Sequence, residues 1–248
     1  MSRIDRALGL VRSIAIYHLI PGRQHRMRRL YAQFVAPGDL VLDIGAHAGN
    51  RTRTLLSIGC RVVAVEPQPD FARLLRTMFG RRPDVEIVEA AVTDMAGRVE
   101  LSISERTPTV TTAVQAWRHA RAADPDFAGV RWDRRVEVTA TTLDMLIARY
   151  GAPAFIKVDV EGSELAVLRG LSRAVPALSL EYLPRALDQA RACIERLSAL
   201  APYRFNWSQG ESYRLAEASW MSADELLARL REPAAQRREG EIYARLRN

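Results

Sequence analysis

Short apolar runs alternate along the chain with segments whose apolar positions recur at helical spacing. These are the marks of buried strands and of helices with one apolar face. Two helical stretches come first, at 3–18 and 22–35, parted by Pro21 and Gly22 and closed by Pro37 and Gly38. The pattern then predicts a strand at 39–44, a helix at 49–58, a strand at 61–66, a helix at 69–79 and a strand at 84–88. Pro67 and Pro69 stop the second of these strands, because proline donates no ladder hydrogen bond yet suits the first turn of a helix.

A short strand is expected at 99–103, then a helix within 141–151 with Thr142 as its cap, and a strand, charged turn and helix across 154–170. A strand at 177–182, a helix at 185–199 and short strands at 203–207 and 212–215 follow. Ser222 and Glu225 form a capping-box signature for a last helix, and 241–246 reads as a closing strand. Such alternation predicts an α/β fold with helices packed on a mostly parallel sheet.

Residues 105–135 break the alternation. The stretch is polar, holds Pro108 and Pro125, and carries Trp117, His119, Phe127 and Trp132. An excursion of this length within a compact domain is often functional, so Trp117, His119 and Trp132 are candidates for substrate contact, against the alternative of aromatic anchors for a surface loop.

Composition narrows the class. At 248 residues and 48% hydrophobic content, the chain can bury one complete α/β core. The net charge is +7, but of 36 basic residues only Lys157 is a lysine. The arginines are scattered, with no zinc, helix-turn-helix or RNA-binding pattern beside them, so there is no strong nucleic-acid signal. Arg23, Arg26, Arg28 and Arg29 make the densest cluster. Cys60 and Cys193 sit in apolar contexts and read as core residues. The first twenty residues lack the apolar length and cleavage site of a secretory leader, and no stretch is long enough to span a bilayer; a cytoplasmic protein is expected. The leading helices offer a surface for a homodimer.

The chemistry concentrates in a few motifs. VLDIGAHAGN at 41–50 is an apolar run ending in Asp43, with Gly45 and Gly49 opening a helix; VVAVEPQP at 62–69 is a second buried strand ending in an acid, Glu66. Glycines let backbone turn tightly and approach a ligand, and a carboxylate ending the second strand of a doubly wound sheet can accept hydrogen bonds from ribose hydroxyls. Such a turn by itself is as often structural as nucleotide-binding. Here the G-x-x-x-G spacing lacks the third glycine of dinucleotide sites and the lysine of phosphate loops. That favours a nucleoside without a pyrophosphate, S-adenosylmethionine above all. Asp43 is placed near the ligand's amino-acid end, and Ala91, Val92 and Asp94, in the loop after the third strand, near its adenine.

A second motif, FIKVDVEGSELAVLRG at 155–170, sets Lys157, Asp159, Glu161 and Glu164 into an apolar strand-helix unit, and Glu181 lies near the end of the next strand. Buried polar groups are costly unless paired or used. If the strand continues through 156–161, Lys157, Asp159 and Glu161 share one face.

With these motifs in order, followed by TTLDML and SLEY, the chain resembles the FkbM-type family of S-adenosylmethionine-dependent methyltransferases over 37–246. The resemblance implies a Rossmann-like, seven-stranded class I methyltransferase sheet with helices on both faces. It suggests a methyltransferase domain at 37–248 behind a helical cap at 1–36, and methyl transfer to a hydroxyl of a small molecule or sugar-containing metabolite. Methylation of an amine, protein or RNA group, or a noncatalytic scaffold keeping the fold, are the alternatives. By the same likeness, Asp43, Gly45, His47, Gly49 and Asn50 belong to the cofactor loop and Glu66 to the ribose. Asp159, Glu161 and Glu181 belong to the polar floor where the methyl moves, oriented by Lys157. His47 stands where many relatives carry asparagine and is read as a hydrogen-bonding substitute before an acid-base group. The three acids offer oxygens suited to magnesium or calcium, but a metal is not expected.

Overall fold

The computed structural model describes residues 22–104, 130–132 and 134–247. The helix expected at 3–18, and Trp117 and His119, lie outside the described residues.

The elements run α1 (Arg23–Tyr31), β1 (Leu40–Ile44), α2 (Asn50–Ile58), β2 (Arg61–Val65), α3 (Pro69–Phe79), β3 (Val85–Val88), β4 (Ala91–Val92) and β5 (Gly97–Ile103). After these come β6 (Arg134–Thr141), α4 (Leu143–Tyr150), β7 (Phe155–Val158), α5 (Glu164–Arg169), β8 (Ala177–Tyr182), α6 (Leu187–Leu200), β9 (Tyr203–Gln209), α7 (Ala223–Leu230) and β10 (Gly240–Leu246). Seven strands form the main sheet in the order β3-β2-β1-β7-β8-β10-β9. Only β10 runs antiparallel to its neighbours. The mixed α/β sheet is that of a class I, Rossmann-like methyltransferase.

Strand alternation builds one core on each face. Leu40, Leu42 and Ile44 of β1 join Leu143, Val167, Ile194, Leu197 and Leu226 from α4 to α7. Val41, between them, points the other way, into a cluster with Met27, Leu30 and Tyr31 of α1 and Leu55 and Leu75 of α2 and α3. Helix α1 thus packs into the same core as the sheet. Thr142 caps α4 by accepting from the Met145 N–H at 3.1 Å, and Ser222 and Glu225 complete their capping box on α7. Cys60 and Cys193 are free and fully buried. Among the described residues, no helix is long and apolar enough to cross a membrane.

Three expectations need correction. Arg134 and Arg135, read as the end of the irregular stretch, instead open strand β6, antiparallel to β5 in a separate three-stranded sheet β4-β6-β5. Val138 and Ala140 are buried while Arg135, Glu137 and Thr139 face out, a period-2 signal that the neighbouring polar stretch obscured. Residues 212–215 are not a strand: β9 continues to Gln209, and a 3-10 turn (Gly210–Ser212) with Gly210 and Tyr213 at positive φ swings the chain away. Strand β7 stops at Val158, so Asp159 and Glu161 are carried by the following loop, not by one strand face.

Candidate active site

Sheet order reverses between β1 and β7: the chain winds outward through β2 and β3, then returns to build β7 and β8 on the other side. Ligands of open α/β sheets bind beyond the carboxyl ends of the strands at such a point. An open cavity lies there, a concave site of the kind small ligands occupy. Gly45, Ala46 and His47 after β1, Glu66 and Pro67 after β2, Ala91 and Val92 of β4, Asn50 and Arg51 at the start of α2, and Lys157, Asp159 and Glu161 from β7 and its loop all line it.

The β1 loop is held from both sides. The N–H groups of Gly45 and Ala46 donate to the Val65 carbonyl at 2.9 and 3.1 Å, and Asp159 N–H donates to the Ile44 carbonyl at 3.0 Å. Gly45 has φ 77°, and a Cβ there would sit 1.8 Å from the Asp159 carbonyl oxygen. Its glycine is demanded by the crossing of two protein loops. Gly49, at φ 76°, lies outside the cavity lining, and a Cβ there would meet Leu75 and Phe79 of α3 at 2.8 and 2.7 Å. Its bareness serves helix packing, not close approach to a ligand.

Asp43 is fully buried behind the loop, accepts from Thr52 Oγ1 at 2.6 Å, and is not a lining residue. Asp94 is exposed and bonded to Thr93 Oγ1 at 3.0 Å. Trp132 is partly buried and also lies outside the lining.

Glu66 is nearly buried, and its two oxygens accept from the backbone N–H groups of His47 and Gln68, each at 2.8 Å. Burial outweighs these hydrogen bonds and raises its pKa to about 7. His47 takes a positive φ of 48°, and its ring centroid lies 3.8 Å from that of Phe71. Burial, aided by the Lys157 and Arg51 charges, lowers its pKa to about 3, so the imidazole is neutral.

At the other end, Lys157, almost fully buried, donates to Asp159 Oδ2 at 2.8 Å and to the Gly45 carbonyl at 3.4 Å. Burial opposes ionisation of Asp159, but Lys157, with Arg51, outweighs it and holds the carboxyl below its ordinary range. Glu161, at φ 52°, points its carboxylate to within 4.8 Å of those of Asp159 and Glu181. Burial and the neighbouring acids push Glu161 and Glu181 well above the ordinary carboxyl range. Glu181 lines a smaller adjoining pocket with Glu164 and Gln189. Glu164 secures the loop between, accepting from the Val160 and Gly162 N–H groups at 3.3 Å and from Gln189 Nε2 at 2.6 Å.

Arg51 is the lining cation that sequence reasoning passed over. The available signal was a cation in the first turn of a helix, where the helix dipole favours an acid.

The family described as Methyltransferase FkbM domain matches residues 43–232, which takes in the whole cavity. The chain belongs to the FkbM methyltransferase family. By its description the matched family is one of methyltransferase domains. Among curated FkbM-chain relatives, ribosomal RNA small subunit methyltransferase A of Anaeromyxobacter dehalogenans (strain 2CP-C) is 46% identical over 67 residues, 26% of this chain and 24% of that protein. Ornithine lipid N-methyltransferase of Singulisphaera acidiphila is 39% identical over 59 residues, 23% of this chain and 31% of that protein. The FkbM chain thus spans less than a third of either relative. Among solved structures, a TehB-like SAM-dependent methyltransferase from Corynebacterium glutamicum is similar over 95% of this chain and 94% of its own, at 11% identity and TM-score 0.48.

Proposed function

We propose that this FkbM methyltransferase acts on a hydroxyl of a small molecule or sugar-containing metabolite. The observation that carries the reading is the acid cluster of Asp159, Glu161 and Glu181 beside the buried Lys157, at one end of a cavity whose other strand ends suit a nucleoside. Glu66 would accept from the ribose hydroxyls, and Ala91 and Val92 would flank the adenine. S-adenosylmethionine, when bound, supplies an electrophilic methyl group on a cationic sulfur.

An alcohol is a weak nucleophile until its proton is being removed, and a positioned base is worth roughly 10²–10⁴-fold. Glu161 is the better base: its raised carboxyl affinity for protons favours taking the acceptor's O–H proton onto its carboxylate, whereas Asp159 is held low by Lys157. Asp159 then orients Lys157 and the loop, and Glu181 stabilises the protonated Glu161.

The test is transfer of labelled methyl from S-adenosylmethionine into a panel of hydroxylated, amino and RNA acceptors. Label in an oxygen-linked methyl of a small metabolite supports the reading. Turnover confined to amines or RNA overturns the acceptor assignment, and cofactor binding with no turnover on any acceptor favours a scaffold.

A further inference from the structure

Helices α1 and α2 differ in charge from the helices that follow them. Helices α3 to α7 each carry an acid in the first turn, from Asp70 in α3 to Asp224 and Glu225 in α7, where the helix dipole favours negative charge. Neither α1 nor α2 has one, and Arg26 and Arg53 stand in those first turns instead. The sequence holds no acid at all at 22–38 or 44–65.

The two helices pack together, with Met27, Leu30, Leu55 and Leu56 in one core cluster, so their charges add on a single layer. Arg26, Arg28 and Arg29 of α1 and Arg53 of α2 are all exposed, and among the described residues no acid pairs with any of the four. Glu211, which reaches α1, is taken by the buried Arg23, and Asp39 accepts from the Ala36 N–H at 2.8 Å. Several exposed arginines on other parts of the surface do find acids: Arg76 with Glu89, Arg82 with Asp84, Arg98 with Glu137 and Arg229 with Glu232.

Folding does not ask for this arrangement. Arg26 and Arg29 are like charges at i, i+3, and cations in a first turn oppose the dipole. An anionic surface laid against the layer would offset both terms. Two observations favour a bilayer over RNA. Among the described residues the exposed large apolar side chains are Met95 and Met145, neither of them on α1 or α2, so no aromatic platform for stacking bases accompanies the arginines. The sequence leading into α1 holds Leu8, Leu10, Val11, Ile14, Ile16 and Tyr17, with Asp5 as its one acid. Apolar residues beside a basic cluster supply the two signals that a peripheral anchor takes.

We infer that the layer of α1 and α2 docks the protein on an anionic membrane surface. Arg23, at the head of α1, donates to Tyr213 Oη just past β9 at 2.9 Å, and α2 starts from the β1 loop. Both helices therefore begin at the carboxyl edge of the sheet, the edge that holds the cavity. Such docking needs neither the cofactor nor the acceptor assignment.

The experiment is co-sedimentation of the full chain with vesicles of phosphatidylserine and phosphatidylcholine in equal parts, and with vesicles of phosphatidylcholine alone. Wild-type protein should sediment with the first, far less with the second, and be released by salt as screening grows. Each arginine near an anionic surface strengthens binding by roughly fivefold, so Arg26→Gln, Arg28→Gln and Arg29→Gln together should weaken it by roughly a hundredfold and Arg53→Gln by roughly fivefold. Lysine at the same three α1 positions should bind like wild type, and Arg98→Gln should change binding little. All these side chains are exposed, so the variants should melt with wild type. Equal sedimentation on both vesicles, or a triple glutamine variant that binds like wild type, overturns the docking face. So does failure to sediment with the anionic vesicles, and capture of an RNA duplex by wild type but not by the triple variant would then assign the face to nucleic acid.

Discussion

Lys157 Nζ lies 2.8 Å from Asp159 Oδ2, the ammonium side chain 2% exposed and the carboxylate 28% exposed toward the cavity. A buried ammonium stripped of its partner costs about 3–5 kcal/mol. Asp159→Asn should therefore lower stability in denaturant melts as well as slow methyl transfer, while cofactor affinity is retained. Adding Lys157→Met should return stability without returning activity. Equal transfer rates for wild type and Asp159→Asn at saturating cofactor and acceptor would take Asp159 out of the mechanism.

Glu161 is expected to act in its ionised form, so the transfer rate should rise with pH through its elevated pKa and then level. Glu161→Gln should cut kcat by roughly 10²–10⁴-fold with little change in cofactor affinity, and should abolish that rising limb. A retained limb would move the base elsewhere.

Glu66 makes stability and ligand binding respond to pH in opposite senses. Its folded pKa of about 7 exceeds the ordinary value of 4.5, so the native state holds more protons between those values and the ligand-free protein loses stability as pH rises through that window. The ionised form accepts more ribose hydrogen bonds, so cofactor affinity should climb over the same interval. Glu66→Ala should remove both trends and most of the affinity; unchanged affinity by calorimetry would exclude the ribose role.

Gly45→Ala drives a methyl group into the Asp159 backbone at a positive φ. Neither loop can yield without breaking its hydrogen bonds to the strands, so thermal melts should show a destabilisation of several kcal/mol, on the scale of the largest single-site effects. A melt within about 0.5 kcal/mol of wild type would show that the crossing can relax.

Lys157 already supplies a positive charge to the acid cluster. Prolonged dialysis against a chelator is expected to leave methyl transfer intact, and magnesium titration to release no heat of binding. Activity lost to the chelator and restored by magnesium would reassign Asp159, Glu161 and Glu181 as metal ligands.

Much of the fold was legible because its signals are local. The apolar runs of β1, β2, β7 and β8 and the caps at Thr142 and Ser222 depend on near neighbours in the chain. Strand β6 was missed though its alternation was present, because the polar stretch before it set the wrong boundary. The reason for each glycine was not legible: Gly45 answers to Asp159, more than a hundred residues on, and Gly49 to Leu75 and Phe79.

The sequence by itself determined the family, most of the order of strands and helices, and the residue types able to serve a nucleoside and a methyl acceptor, since these follow from periodicity and motif spacing. Only the tertiary structure decided which of them meet. Adjacent β1 and β7 bring Lys157 against Gly45, the pairing of β7 with β8 brings Glu181 to Asp159 and Glu161, and the start of α2 turns Asn50 and Arg51 into the cavity. Asp43, placed by its motif near the ligand's amino-acid end, lies behind the loop on Thr52. Contacts between distant segments are set by sheet pairing and by which face of a strand a side chain leaves, and neither is written in the spacing of residues along one strand.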